Sequence, residues 1–218
     1  MGLSASPLSL KDQLAFYGAY HTNHVNVLIH IVCVPLIWMT ALSLLLTSEV
    51  GLHKIISPLP MSVQAHLLDL DAMFSASLPA NVYQHMNMAS WIAVCYWIYY
   101  AMLDKTIAIL FAPLWTAFYA SAFYLAHNNP HAGTISWSIF IASWAAQFYG
   151  HGVHEGRAPA LLDNLLGAVV LAPLFVFIEV LFFLGYRKDM QIELKNETGR
   201  RIKEVKQAQA QAKHAKAH

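Results

Sequence analysis

Charge is scarce in this sequence: Asp, Glu, Lys and Arg make up 11% of 218 residues, against 57% hydrophobic residues. An ordinary soluble domain carries about 25% charged residues, so this composition and a mean hydropathy of +0.45 exclude a water-soluble globular fold. Cations are scarcer still before residue 187, where four Lys and Arg face eight Asp and Glu; residues 187–218 hold nine against four. A phosphate-binding surface needs clustered cations on ordered structure, so the body of the chain is not a nucleic-acid binder. Only two cysteines occur, Cys33 and Cys95, both inside apolar runs. They exclude a secreted disulfide framework. The opening residues have no cationic start followed by an apolar core, so no cleavable signal peptide is expected and the first apolar helix does the targeting.

What is present is long apolar sequence. Five segments stand out: Val27–Ser48, Met86–Leu103, Thr106–Ala126, Thr134–Tyr149 and Asn164–Tyr186. Only the last contains a formal charge, Glu179, and all but the fourth approach the roughly 20 residues that a bilayer-crossing helix needs. Backbone in hydrocarbon must satisfy its own hydrogen bonds, and the alternation of a barrel strand is missing. The expected fold class is therefore all-α: a multi-pass helical membrane protein with four or five membrane helices. Residues 1–186 would form the membrane-embedded domain. Residues 187–218 would form a basic cytosolic tail, helical or disordered, with no apolar face of its own. Leu10–Tyr20 reads as a short amphipathic stretch for the headgroup zone, and Val63–Phe74 as an interfacial helix between proline breakers. Asp104 and Lys105 would turn a tight helical hairpin. Pro35, Pro113 and Pro173 are expected to kink the helices that contain them.

Histidine is abundant, with 12 residues. Seven lie at or near the ends of apolar segments, in three groups: His21, His24 and His30; His127 and His131; His151 and His154. Imidazole is neutral near physiological pH and is the commonest transition-metal ligand. Any single boundary histidine can equally well hold a polar tip among lipid headgroups, which fits His24 and His131. His30 differs, because it lies about one turn inside an apolar helix, where an unpartnered imidazole is costly. The run from Gln147 to Asn164 crowds His151, Glu155, Arg157, Asp163 and Asn164 between two apolar segments. Glu155 could be a metal carboxylate, a group that orients an imidazole, or the partner of Arg157 at a solvated turn.

Several of these motifs resemble one family. Gln13-Leu14-Ala15-Phe16-Tyr17, Tyr20-His21, Asn23, Asn26 to His30, Gly150-His151-Gly152-Val153, Glu155, Pro159-Ala160-Leu161, Asp163-Asn164-Leu165 and Leu171-Ala172-Pro173 are similar to the fungal 2-hydroxy fatty acid dioxygenases. The resemblance spans about residues 9–186. It implies an endoplasmic-reticulum membrane enzyme that uses Fe(II) and O2 to shorten 2-hydroxy fatty acids by one carbon in phytosphingosine breakdown. Family histidines match His21, His30, His127 and His151, which the resemblance makes the expected iron ligands; Glu155 and Arg157 are the expected catalytic side chains. The acyl chain would enter from the bilayer, with Arg157 neutralising the substrate carboxylate. If all five segments span, however, His127 ends opposite His21 and His151, across roughly 30 Å of hydrocarbon. Either His127 is no ligand or the fourth segment does not cross. Two rival readings remain at this stage. A diiron hydroxylase or desaturase would be expected to carry adjacent histidines, which this chain lacks; a non-catalytic membrane scaffold or lipid binder would use the same residues as anchors.

Overall fold

The computed structural model describes residues 6–48, 57–77, 87–156 and 169–216. All regular structure among them is helical: α1 (Leu10–Tyr20), α2 (His24–Thr47), α3 (Met61–Ser77), α4 (Met88–Leu103), α5 (Lys105–Asn128), α6 (Ala132–Tyr149), a π-helical turn (Gly150–Glu155), α7 (Ala172–Phe183) and α8 (Lys188–Lys216). Two of these, α2 and α5, are long and apolar enough to cross a membrane. At 1.5 Å per residue their 24 residues reach about 36 Å. The helices α4 and α7 are apolar but shorter, so the structure does not by length alone supply the four or five spans expected.

Side-chain chemistry sets where each helix begins. Ser9 caps α1 by accepting from the Asp12 N–H at 3.3 Å. The chain leaves α1 at His21, and Asn23 restarts it as α2 by accepting from the Val25 N–H at 2.9 Å. Asp104 closes the α4–α5 hairpin, capping α5 through the Ile107 N–H at 3.0 Å and pairing with Arg187 beyond α7. Pro35 and Pro113 do lie inside α2 and α5. Pro173 does not: it stands at the start of α7, where its missing N–H costs nothing.

At the centre, α2 packs against α4, α5, α6, α7 and the π-helical turn. Its middle is held by aromatic rings: Trp38 stacks on Trp115 and on Tyr96, each with ring centres 4.5 Å apart. Such pairs add about 0.5–1.5 kcal/mol beyond their area. Tyr100, fully buried, donates its hydroxyl to the Val170 carbonyl at 2.6 Å and ties α4 to the approach to α7.

The α2–α6 contact is of another kind. Ser43 and Ser136 hydrogen-bond at 2.9 Å at one end, Cys33 meets Ser143 midway, and Gly150 lies against Asn26 at the other. The two helices are antiparallel along their whole lengths, and α6 buries Ala132, Ser136, Ser143 and Gln147 against α2. Small side chains let the backbones approach closely, as between helices in lipid. Large apolar side chains point the other way: Leu28, Val32, Ile109 and Ile141 are each 60–66% exposed.

The C-terminal segment is one helix, α8, and it docks on α1. Leu194 is buried there, Lys11 pairs with Glu193, and Thr198 rests against Gly18. Of the two forms expected for the basic tail, helical or disordered, the structure has the helical one, docked on α1.

Candidate metal centre

Three histidines that are distant in sequence meet where α1, α2 and the end of α6 converge. The ligand atoms of His21, His30 and His151 all lie within 4.8 Å of one another. Their ring centres are 4.5, 4.9 and 4.9 Å apart, and each pair of rings is nearly perpendicular, at 81°, 73° and 82°. His30 and His151 are buried; His21 is partly exposed, yet its Nε2 is fully covered. Three nitrogens bound to one ion at about 2.1 Å stand about 3–3.5 Å apart, so small side-chain movements would bring this set onto a single centre.

The helices also select which nitrogen faces inward. His21 Nδ1 lies 2.9 Å from the Tyr17 carbonyl, and His30 Nδ1 lies 2.9 Å from the Asn26 carbonyl. A carbonyl only accepts, so Nδ1 of each ring carries the proton and Nε2 keeps the lone pair a metal needs. Two buried ring nitrogens, His21 Nε2 and His151 Nδ1, have no hydrogen-bond partner among the described residues. Burial, reinforced by the neighbouring His30, holds the His21 imidazole well below its ordinary pKa; burial likewise lowers His151, with Glu155 opposing. Both are therefore neutral at physiological pH. Neutral, preoriented imidazoles with free lone pairs fit a first-row transition metal.

Glu155 does not face the three rings as a free carboxylate. It accepts from the N–H groups of Thr22 and Asn23, both at 2.7 Å, from the Thr22 hydroxyl at 2.9 Å, and from Asn26 Nδ2 at 3.3 Å. Burial alone would raise this carboxyl, but the donors outweigh it and hold its pKa below the ordinary value. Asn23 Nδ2 adds a bond to the His154 carbonyl at 3.1 Å. The result is a clasp between the segment that carries His21 and the turn that carries His151, set at the N-terminus of α2, which carries His30. The π-helical turn makes the approach possible. It widens the end of α6, Gly150 admits Asn26 where a Cβ would lie 2.4 Å from Oδ1, and Gly156 ends the turn in the left-handed region at φ +63°.

The other expected site residues lie elsewhere. His127 is exposed at the end of α5, beside Leu46 and Thr47, about 25 Å along α2 from His30. Its Nδ1 bonds the Phe123 carbonyl at 2.9 Å and its ring stacks on Phe123. Because α6 runs the length of α2, the structure separates His127 from the cluster rather than bringing it in. His24 and His131 are exposed, and His154 turns its ring to Tyr149. Arg157, Asp163 and Asn164 lie outside the described residues. Sequence reasoning passed over Tyr17 and Gln147, which border the triad; Tyr17 stacks on His21 with ring centres 3.9 Å apart, and its position one turn before His21 was the available signal.

The family model for Mpo1-like proteins, described as 2-hydroxy-palmitic acid dioxygenase Mpo1-like, matches residues 8–184. The chain belongs to the Mpo1-like family. Among its relatives is the 2-hydroxy-palmitic acid dioxygenase MPO1 of Saccharomyces cerevisiae, 30% identical over 190 residues that cover 87% of this chain and 90% of the relative. No solved structure matches. All three clustered histidines and Glu155 fall inside the matched region, whereas α8 begins after it. The relative's name describes a dioxygenase of 2-hydroxy-palmitic acid.

Proposed function

We propose that this chain is an Fe(II)-dependent dioxygenase of the endoplasmic-reticulum membrane that shortens 2-hydroxy fatty acids by one carbon. The observation that carries the reading is the triad of His21, His30 and His151, with ligand atoms within 4.8 Å. Overall, one 2-hydroxy acid and one O2 would give the fatty acid one carbon shorter, one CO2 and one water. Bound iron would supply the one-electron chemistry that lets O2 react with a closed-shell acid. The chain's own part is to hold the three imidazoles neutral and correctly turned, to fix their separation through the Glu155 clasp, and to keep the centre out of bulk water.

The distribution of side chains supports a membrane setting. Asn26, Thr40, Ser43, Ser136, Ser143 and Gln147 are buried between helices while Leu28, Val32, Ile109 and Ile141 face outward, the reverse of a soluble core. On this reading α6 crosses wherever α2 does. A fatty acid would reach the triad from the bilayer, and the basic C-terminal helix would lie on the cytosolic side.

The test is anaerobic purification in detergent, with bound iron per chain measured beside O2 consumption on 2-hydroxypalmitate. One iron per chain and substrate-dependent uptake are expected. Two irons per chain would favour a diiron enzyme, and neither metal nor uptake after Fe(II) is restored would leave a non-catalytic membrane protein.

A further inference from the structure

Buried polar atoms without partners are few and concentrated in this fold. Among the described residues, the buried side-chain atoms without a partner include Trp38 Nε1, two turns beyond His30, and a group of five, Tyr17 Oη, His21 Nε2, Asn26 Oδ1, Gln147 Nε2 and His151 Nδ1, that belong to the triad or to residues within one helical turn of it. A buried donor left unmade is costly, so such a concentration marks a place where the protein keeps hydrogen-bonding capacity for something it binds. Two of these atoms are hydrogen-bond donors, the Tyr17 hydroxyl and the Gln147 amide N–H. Tyr17 is 6% exposed and lies flat on His21 at 15°, with the Phe175 ring centre 4.8 Å from its own. Gln147 is 8% exposed, on the face of α6 that meets α2, one turn before His151. The two come from different helices, Tyr17 one turn before His21 and Gln147 one turn before His151.

We propose that the Tyr17 hydroxyl and the Gln147 side-chain N–H bind the carboxylate of a fatty acid at the triad, forming the head-group subsite of the enzyme. This rests on the dioxygenase reading above. A phenol and an amide suit that task, since both donate to a carboxylate without adding a charge to a buried site. They also leave the acyl chain to the apolar surroundings, so the subsite selects an acid head rather than a chain length. No bond is made or broken by either residue; their role is binding and orientation.

The experiment uses the full-length protein in detergent. Tyr17→Phe keeps the stacked ring, and Gln147→Leu keeps the approximate volume. Each is expected to raise KM for 2-hydroxypalmitate about tenfold, with kcat within about twofold of the parent and iron content unchanged. Palmitate, which has the carboxylate but no 2-hydroxyl, should bind the metal-free parent and lose affinity by the same factor in each variant, as read by calorimetry. Unchanged KM and unchanged palmitate affinity would overturn the subsite, with internal water then serving both donors. Loss of iron in the variants would overturn it too, since the residues would then be supports of the triad. If the parent itself holds no iron and consumes no O2, the dioxygenase reading fails, and palmitate binding by the metal-free protein still decides the carboxylate subsite.

Discussion

Glu155 accepts hydrogen bonds from both the backbone N–H and the hydroxyl of Thr22, at 2.7 and 2.9 Å, across 133 positions of chain. That relationship brings the two ends of the family's sequence signature into one site. Asn23 reinforces it, donating its N–H to Glu155 at 2.7 Å and its Nδ2 to the His154 carbonyl at 3.1 Å.

Replacing Glu155 by Ala should therefore act on the metal indirectly. Four donors lose their acceptor, and iron affinity is expected to fall about 10- to 100-fold while helix content by circular dichroism stays unchanged. Glu155→Gln, which keeps one acceptor oxygen, should fall between the two. Full iron affinity in Glu155→Ala would refute the clasp.

Single replacements of His21, His30 or His151 by Ala should each abolish stoichiometric iron binding. His127→Ala should leave iron content unchanged, because its ring is exposed and satisfied by Phe123 at the far end of α2. Metal analysis of the four purified variants checks both halves.

Two glycines separated by one residue should respond in opposite ways. A Cβ on Gly150 would meet Asn26 Oδ1 at 2.4 Å. Asn26 is fully buried and its amide is bonded to Glu155, so it has no room to yield. Gly150→Ala should cost about 1–3 kcal/mol and weaken iron binding. Gly152→Ala meets nothing within 4 Å and should be near neutral. Thermal unfolding in detergent separates them.

The Asp104–Arg187 pair sets a pH dependence outside the candidate metal site. Burial pushes the Asp104 carboxyl up, but the Arg187 guanidinium and the Ile107 N–H outweigh it and hold the pKa below the ordinary value. A depressed folded-state pKa means stability present above about pH 3.9 and lost as pH falls through the folded value. Asp104→Asn should cost about 1 kcal/mol at pH 7, and its deficit relative to the parent should shrink on titration below about pH 4. A deficit that does not change with pH would refute the ion pair.

Much of the helical architecture was legible locally. The amphipathic stretch Leu10–Tyr20 is α1 to the residue, and four apolar segments became α2, α4, α5 and α6 with ends moved by at most three residues. Caps explain the agreement, since Asn23 and Asp104 act on their own neighbours. Where local pattern misled, a distant partner was responsible. In the tail Met190, Ile192 and Leu194 alternate with charged and polar residues, and it is docking on α1 that buries Leu194. Glu155 stayed open between metal carboxylate, imidazole orienter and partner of Arg157 because its donors are invisible until Thr22, Asn23 and Asn26 are folded beside it.

Composition and hydrophobic period settled the helical, apolar character of the chain, because a helix satisfies its backbone within a few residues and leaves its outward chemistry to side-chain type alone. The metal centre could not be settled that way. The resemblance offered four histidines, and their spacing separates His127 from the others only if every apolar segment spans. The antiparallel run of α6 along α2 does, by placing His151 beside His30 and His127 about 25 Å away, since one ion reaches only a few ångströms and helix length fixes which ends meet.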